Sequence, residues 1–79
     1  MLLPNKLFSY NESIISKFPS ILQILKKAPC SVSELYKRVQ GNVTGVNEYM
    51  EILDCLYALN KIDYDEETEV LRYVERNHE

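Results

Sequence analysis

Few side chains in this sequence could do covalent or acid–base chemistry, and their spacing assembles none of the usual constellations. The one histidine, His78, stands in the charged C-terminal tail, and the two cysteines, Cys30 and Cys55, lack the paired spacing of a zinc site. There are only two glycines, Gly41 and Gly45, and no Gly-rich phosphate loop. The run Asp63, Asp65, Glu66, Glu67 superficially suggests a cation site, but it lacks the glycine and the spaced oxygen ligands of a calcium loop and reads as a solvated turn. No catalytic residue, cofactor or metal is therefore expected, and the cysteines read as free thiols of a reducing compartment. Two charged groups are left. Glu48, Glu51 and Asp54 are acidic, and Lys26, Lys27, Lys37 and Arg38 are basic. Charge without a nucleophile or base pair points to recognition of a partner.

The acidic group sits on the element around which the chain is organised, a helix expected over Thr44 to Asn60. Tyr49, Ile52, Leu53, Leu56 and Leu59 recur there at spacings of three and four and form a core stripe. Val46, Met50 and Tyr57 fall beside that stripe and widen the apolar arc to about half the circumference, more than one packed face requires. Asn47, Glu48, Glu51 and Asp54 occupy the far side, and the helix body has no Lys or Arg. Thr44 or Asn47 is the expected cap, with Gly45 inside the first turn.

The preceding chain must supply the packing partners. Pro4 disfavours helix at Leu3, so Met1 to Phe8 is expected to be extended, although Leu2, Leu3, Leu7 and Phe8 are large and apolar. They either fold back on the domain or dock on another protein. Ser9 and Glu12 have capping-box spacing, which predicts a short helix carrying Ile14, Ile15 and Phe18 inward. Pro19 interrupts it and opens a second segment, Ser20 to Lys27, with Ile21, Leu22, Ile24 and Leu25 apolar. Ser31-Val32-Ser33-Glu34 is a second capping box. It opens a helix in which Leu35, Tyr36 and Val39 face the core and Gly41 supplies a left-handed stop.

After Asn60 the period changes to two. Ile62 to Asp65 alternates apolar with acidic, Val70 to Val74 is β-branched and aromatic, and Glu66-Glu67-Thr68 connects them. This spells a β-hairpin whose loop exceeds two residues, since no Gly or Asn stands at the turn. Helix, helix, longer helix and hairpin are the order of a winged helix-turn-helix domain. The expected fold is thus α+β, mostly α, with three core helices, a C-terminal hairpin and an extended apolar N-terminal segment. The boundaries are 1–9 for that segment, 10–76 for the domain and 77–79 for a tail.

Seventy-nine residues at 46% hydrophobic and 27% charged suffice for one small core, near the size at which a domain is marginal alone. No run approaches the ~18 apolar residues of a membrane span and the N-terminus has no secretion leader, so a cytoplasmic protein is expected. A net charge of −3 and a sequence pI of about 5.1 remove the overall positive field that draws proteins to phosphate backbones.

A winged helix that reads duplex DNA usually inserts its third helix into the major groove and sets its hairpin against the backbone. Here the helix would present Glu48, Glu51 and Asp54 to phosphates, and the hairpin would add Asp63, Asp65, Glu66, Glu67 and Glu69 against Arg72. Each carboxylate brings repulsion and releases no counterion. The positive charge that could serve a nucleic-acid contact is Lys26, Lys27, Lys37 and Arg38, if they cluster; Asn47 and Thr44 could reach a base edge but lack cationic neighbours.

The opening LLPNKLFSYNESII, the block ILQILKKAPCSVSELYKRV and the ending ILDCLYALNKIDYDEETEVLRYV together resemble the small middle component of bacterial ABC-three-component systems, the group that includes Lamassu-type defence. The similarity covers most of the chain, and its distinctive part is the N-terminal Pro-Asn-Lys segment. The resemblance implies a non-catalytic subunit that bridges or regulates an SMC-like ATPase and an effector nuclease against phage or plasmids. On that basis Leu2, Leu3, Leu7 and Phe8 form one protein contact. Glu48, Met50, Glu51, Asp54 and Tyr57 form a second. DNA is met only through the complex, and no small-molecule substrate or membrane is involved. The alternatives are a homodimeric winged-helix transcriptional regulator using the four basic residues, and an antitoxin-like inhibitor using the acidic surface.

Overall fold

The computed structural model describes residues 12–75. A helical segment over residues 12–16 (α1) is followed by α2 (Phe18–Lys27), α3 (Val32–Val39), α4 (Val46–Ala58), β1 (Ile62–Asp65) and β2 (Val70–Tyr73). This is the expected α+β layout, mostly helical with a C-terminal antiparallel hairpin, and it is winged-helix-like. The expected N-terminal extended segment lies outside the described residues.

Local signals account for most boundaries. Lys17 separates α1 from α2, and Pro19 follows as the second residue of α2, where a missing N–H leaves no intrahelical bond unmade. The helix thus opens at Phe18, one residue before the expected proline. Ala28 is extended, as the residue before Pro29 must be, and Cys30 then pairs with β2. The Cys30 amide donates to the Leu71 carbonyl at 3.2 Å, and the Leu71 amide donates back at 2.7 Å. Cys30 thereby acts as a one-residue third strand. Ser31 caps α3 as its spacing predicts, its Oγ accepting from the Glu34 amide at 3.1 Å.

Two helix ends depart from expectation. Gly41 supplies no left-handed stop, because neither glycine has positive φ and α3 ends on Gln40 in right-handed geometry. Glycine permits the left-handed region without requiring it. Among the described residues the left-handed ones are Asn60, at φ 64°, and Glu69, at φ 59°. Asn60 closes α4 in a Schellman arrangement: its amide donates to the Tyr57 carbonyl at 3.0 Å, and the Lys61 amide donates to the Leu56 carbonyl at 2.9 Å. Leu59, expected in the core stripe, therefore lies beyond the last helical turn and is exposed. At the other end the cap is Gly45, with no side-chain hydrogen bond from Thr44 or Asn47.

The hairpin register pairs Ile62 with Tyr73, Asp63 with Arg72, Tyr64 with Leu71 and Asp65 with Val70. Residues 66–69 connect the strands, and Asp65 organises that turn. Its Oδ1 accepts from the Glu67 amide at 3.0 Å, and its Oδ2 accepts from Arg72 Nη2 at 2.9 Å. Hydrogen bonds from Thr68, then those from the Glu67 amide and Arg72, hold its carboxyl below the ordinary value.

One core joins all elements. Ile14 from α1, Ile21 and Leu25 from α2, Leu35 and Val39 from α3, and Tyr49, Ile52, Leu53 and Leu56 from α4 are buried together with Cys30, Ile62 and Leu71. α2 packs against α3 and β2, and α4 packs against β1. Ile15, expected to face inward with Ile14 and Phe18, is instead exposed, since neighbours on a helix point about 100° apart and Ile14 takes the inward direction.

Candidate protein-docking surface

The surface of interest is built on α4, and two internal ties orient that helix. Tyr49, fully buried, donates its hydroxyl to the Val32 carbonyl at 2.6 Å and packs its ring 4.9 Å from that of Tyr36. This pins α4 to the start of α3. Burial pushes the phenol up to about 12, with the nearby Cys30 a lesser cause. A raised phenol favours the folded state below the ordinary value of 10 and ceases to do so as pH climbs through about 12. Titration with tyrosinate absorbance and circular dichroism together should show one tyrosine ionising in step with unfolding between those values. Tyr49→Phe should remove that coupled step, while lowering stability near neutral pH by about 1 kcal/mol through the loss of a buried hydrogen bond.

The second tie is Glu48. Its Oε1 accepts from Lys17 Nζ at 2.7 Å and from the Thr44 amide at 2.9 Å, and its side chain is 7% exposed against 19% for Lys17. The Lys17 hydrogen bond, then the Thr44 amide, hold the carboxyl below its ordinary value despite burial. Glu48 is therefore corrected from a residue of the outer acidic face to an internal one. It links the α1–α2 junction to the start of α4 and has no free surface to offer a partner.

With these ties in place, α4 has two apolar flanks. On one, Val46, Met50 and Tyr57 are 53%, 43% and 60% exposed, and Tyr64 of β1 faces the same groove at 41%. On the other, Ile15 and Leu59 are exposed and lie with Phe18, Cys55 and Ala58 around a second hollow of about 350 Å³. From the rotation of about 100° per residue, the two flanks are about half a turn apart, on either side of a strip holding Asn47, Glu51 and Asp54. Met50 and Tyr57, expected at a contact, are thus brought together on one flank, and Glu51 and Asp54 are exposed beside them.

Leu2, Leu3, Leu7 and Phe8 lie outside the described residues. Three groove residues escaped the sequence reading as contact candidates. By spacing alone Val46 falls beside the core stripe, Tyr64 in a strand and Val32 inside a capping box. The i, i+4, i+7 relation of Val46, Met50 and Leu53 was the signal available for the first.

The basic residues occupy the last turns of two helices. Lys26 lies over the Tyr73 ring, with Nζ 5.5 Å from its centroid, and Lys27 is exposed beside it. Lys37 and Arg38 are exposed at the end of α3, and Arg38 stands 4.0 Å from Glu34 across one helical turn. Each pair complements the dipole of its own helix. Among the described residues no group of three or more His, Cys, Asp or Glu side chains could hold a metal ion. Cys30 and Cys55 are free thiols, and no helix among the described residues is long and apolar enough to cross a membrane.

Neither the curated proteins nor the solved structures contain a match to this chain. A family model does match. Residues 3–71 fit that of the ABC-three component (ABC-3C) system Middle Component 7, a span that runs from the N-terminal Leu-Pro-Asn-Lys segment into β2 and takes in every helix. A small domain whose longest helix has spare apolar surface on two sides accords with a subunit of a larger system, and the chain belongs to the ABC-3C Middle Component 7 family.

Proposed function

We propose that the protein is a non-catalytic adaptor of a bacterial defence complex of the Lamassu type. It would bridge an SMC-like ATPase and an effector nuclease encoded in the same operon, in a system directed against phage or plasmids. The observation that carries this reading is the pair of apolar surfaces on either side of α4, at Met50 and Tyr57 on one side and, on the other, where Cys55 and Ala58 meet Ile15 of α1 and the cap residue Leu59. A bridge needs two separate surfaces, and scattered single apolar side chains would not supply them. Family membership supports the multi-subunit setting.

The contacts assigned to the adaptor are Met50, Tyr57, Glu51 and Asp54 on α4, and Leu2, Leu3, Leu7 and Phe8 in the N-terminal segment. Glu48 is withdrawn from that set because its carboxylate is engaged internally. Direct reading of duplex DNA by α4 is disfavoured by the same face. From Val46 to Ala58 the helix presents two exposed acidic residues, Glu51 and Asp54, and no cation, so phosphate contact would add repulsion without counterion release.

The test is purification of the full chain from its native operon through a moderate-salt wash, with mass spectrometry of what is retained. Retention of an SMC-like ATPase, with or without a nuclease, is expected. Recovery of the protein alone, with DNA-binding activity in the same fraction, overturns the adaptor reading.

A further inference from the structure

We propose that the groove between α4 and the hairpin takes a basic amphipathic helix of a partner subunit. This rests on the adaptor reading and adds the chemistry of one of its two partners. Two adjoining hollows of about 410 and 390 Å³ share Val32, Met50 and Tyr64 and so form one continuous groove. One wall is the α4 row Val46, Met50, Leu53 and Tyr57, at spacings of four, three and four, and the other is Tyr64 with the turn that follows it. Four of the six large apolar side chains exposed among the described residues, Val46, Met50, Tyr57 and Tyr64, project here.

The rim decides the charge of the occupant. Asp54 of α4 and Glu66 and Glu69 of the turn border the groove, and none of the three makes an ion pair among the described residues. The cation nearest in sequence to the turn, Arg72, is held by Asp65 at 2.9 Å. Lys61 lines a different hollow with Leu59 and Asn60. An apolar floor with an acidic border selects a segment carrying Leu, Met or Phe on one side and Lys or Arg flanking it.

The walls decide its conformation. α4 has its backbone amides and carbonyls bonded within itself, so the longer wall is entered through side chains alone, whereas β1 is an edge strand of four residues whose Tyr64 amide is already turned to Asp63 Oδ1 at 2.9 Å. A strand laid along α4 would leave its own amides and carbonyls unpaired on that side, whereas a helix satisfies them internally. From Val46 to Tyr57 the α4 row rises about 16 Å, which matches about three turns of a docked helix.

The experiment places a benzophenone-bearing residue at Tyr57 of the full chain, expressed with the other components of its operon, and maps the captured peptide by mass spectrometry after irradiation. Capture of a segment with apolar residues at spacings of three and four and at least two flanking Lys or Arg is expected. The double charge reversal Asp54→Lys with Glu66→Lys, at two exposed positions, should reduce capture at least tenfold while circular dichroism stays unchanged. Raising the salt should lower capture by the parent chain.

Capture of an acidic or extended segment, of a second copy of this chain, or of nucleic acid overturns the proposal, as does capture indifferent to charge reversal. If a partner still co-purifies in any of those cases, the groove assignment alone has failed. If none co-purifies with the unaltered chain, the adaptor reading has failed with it.

Discussion

Replacing Leu56 by alanine is expected to lower the free energy of unfolding by about 3–4 kcal/mol, the range for a leucine whose cavity cannot collapse. Leu56 is 0% exposed, in the last turn of the helix that packs on β1 and contributes four residues to the core. A chain of this length has a total stability of about 4–12 kcal/mol, so the variant should sit close to its unfolding midpoint at modest urea. Tyr57→Ala is the matched control. It lies one residue along the same helix but is 60% exposed, and it should change stability by no more than about 0.5 kcal/mol. Urea titrations of the two, with the slope unchanged from the parent, read the difference directly. Equal losses would mean that α4 presents a different face to the core. The pair also separates folding from recognition, because Tyr57→Ala should weaken co-purification of the partner while leaving the fold intact.

The second large effect is expected at Glu48. Glu48→Ala should lower stability by about 2–3 kcal/mol, since it strands the Lys17 ammonium in a half-buried site and leaves the Thr44 amide without its acceptor. Two apolar replacements made together, Lys17→Met with Glu48→Leu, should recover much of the loss, because they remove the desolvated charge along with its partner. The pH dependence has a definite sign. The Glu48 carboxyl lies below its ordinary value of 4.5 in the folded state, chiefly through the Lys17 hydrogen bond. Its contribution is therefore fully present above about that pH and is lost as the pH falls through the folded value. Denaturation of the parent and of Glu48→Gln should differ most near neutral pH, and the difference should shrink on acidification. Asp65 titrates in the same direction from an exposed turn, so both proteins keep some acid sensitivity. A difference that stays constant from neutral pH to well below the carboxylate range would show that the ion pair contributes nothing.

Glu48 also shows how much of the surface could be read before folding. On a helical wheel it falls about 100° from Asn47 and Tyr49, on the border between the polar strip and the core, and its acidity argued for the outer side. Its assignment turned on Lys17, thirty-one residues away in sequence. Leu59 failed for a nearer reason. Its spacing fitted the core stripe, but Asn60 took up left-handed geometry and ended the helix before Leu59 could turn inward. Ile15 was lost to the core because Ile14 filled the inward direction of a helical segment only five residues long in its described part.

What the sequence determined by itself were the features whose causes lie within about one helical turn or one strand pair. Ser31 caps α3 because its hydroxyl reaches an amide three residues on, Pro19 lies in the first turn of α2 because it lacks an N–H, and the alternation after Ile62 produces the hairpin. Composition had likewise excluded a basic DNA-reading helix, since no arrangement of α4 can supply cations it does not contain. Tertiary structure alone decided the pairing of Cys30 with Leu71, the bond from Tyr49 to the Val32 carbonyl, the burial of Glu48, and the division of the wide apolar arc into a core between two exposed flanks. Each of these depends on which elements meet. That is set by the collective burial of apolar surface, which is non-directional and leaves few marks in local spacing.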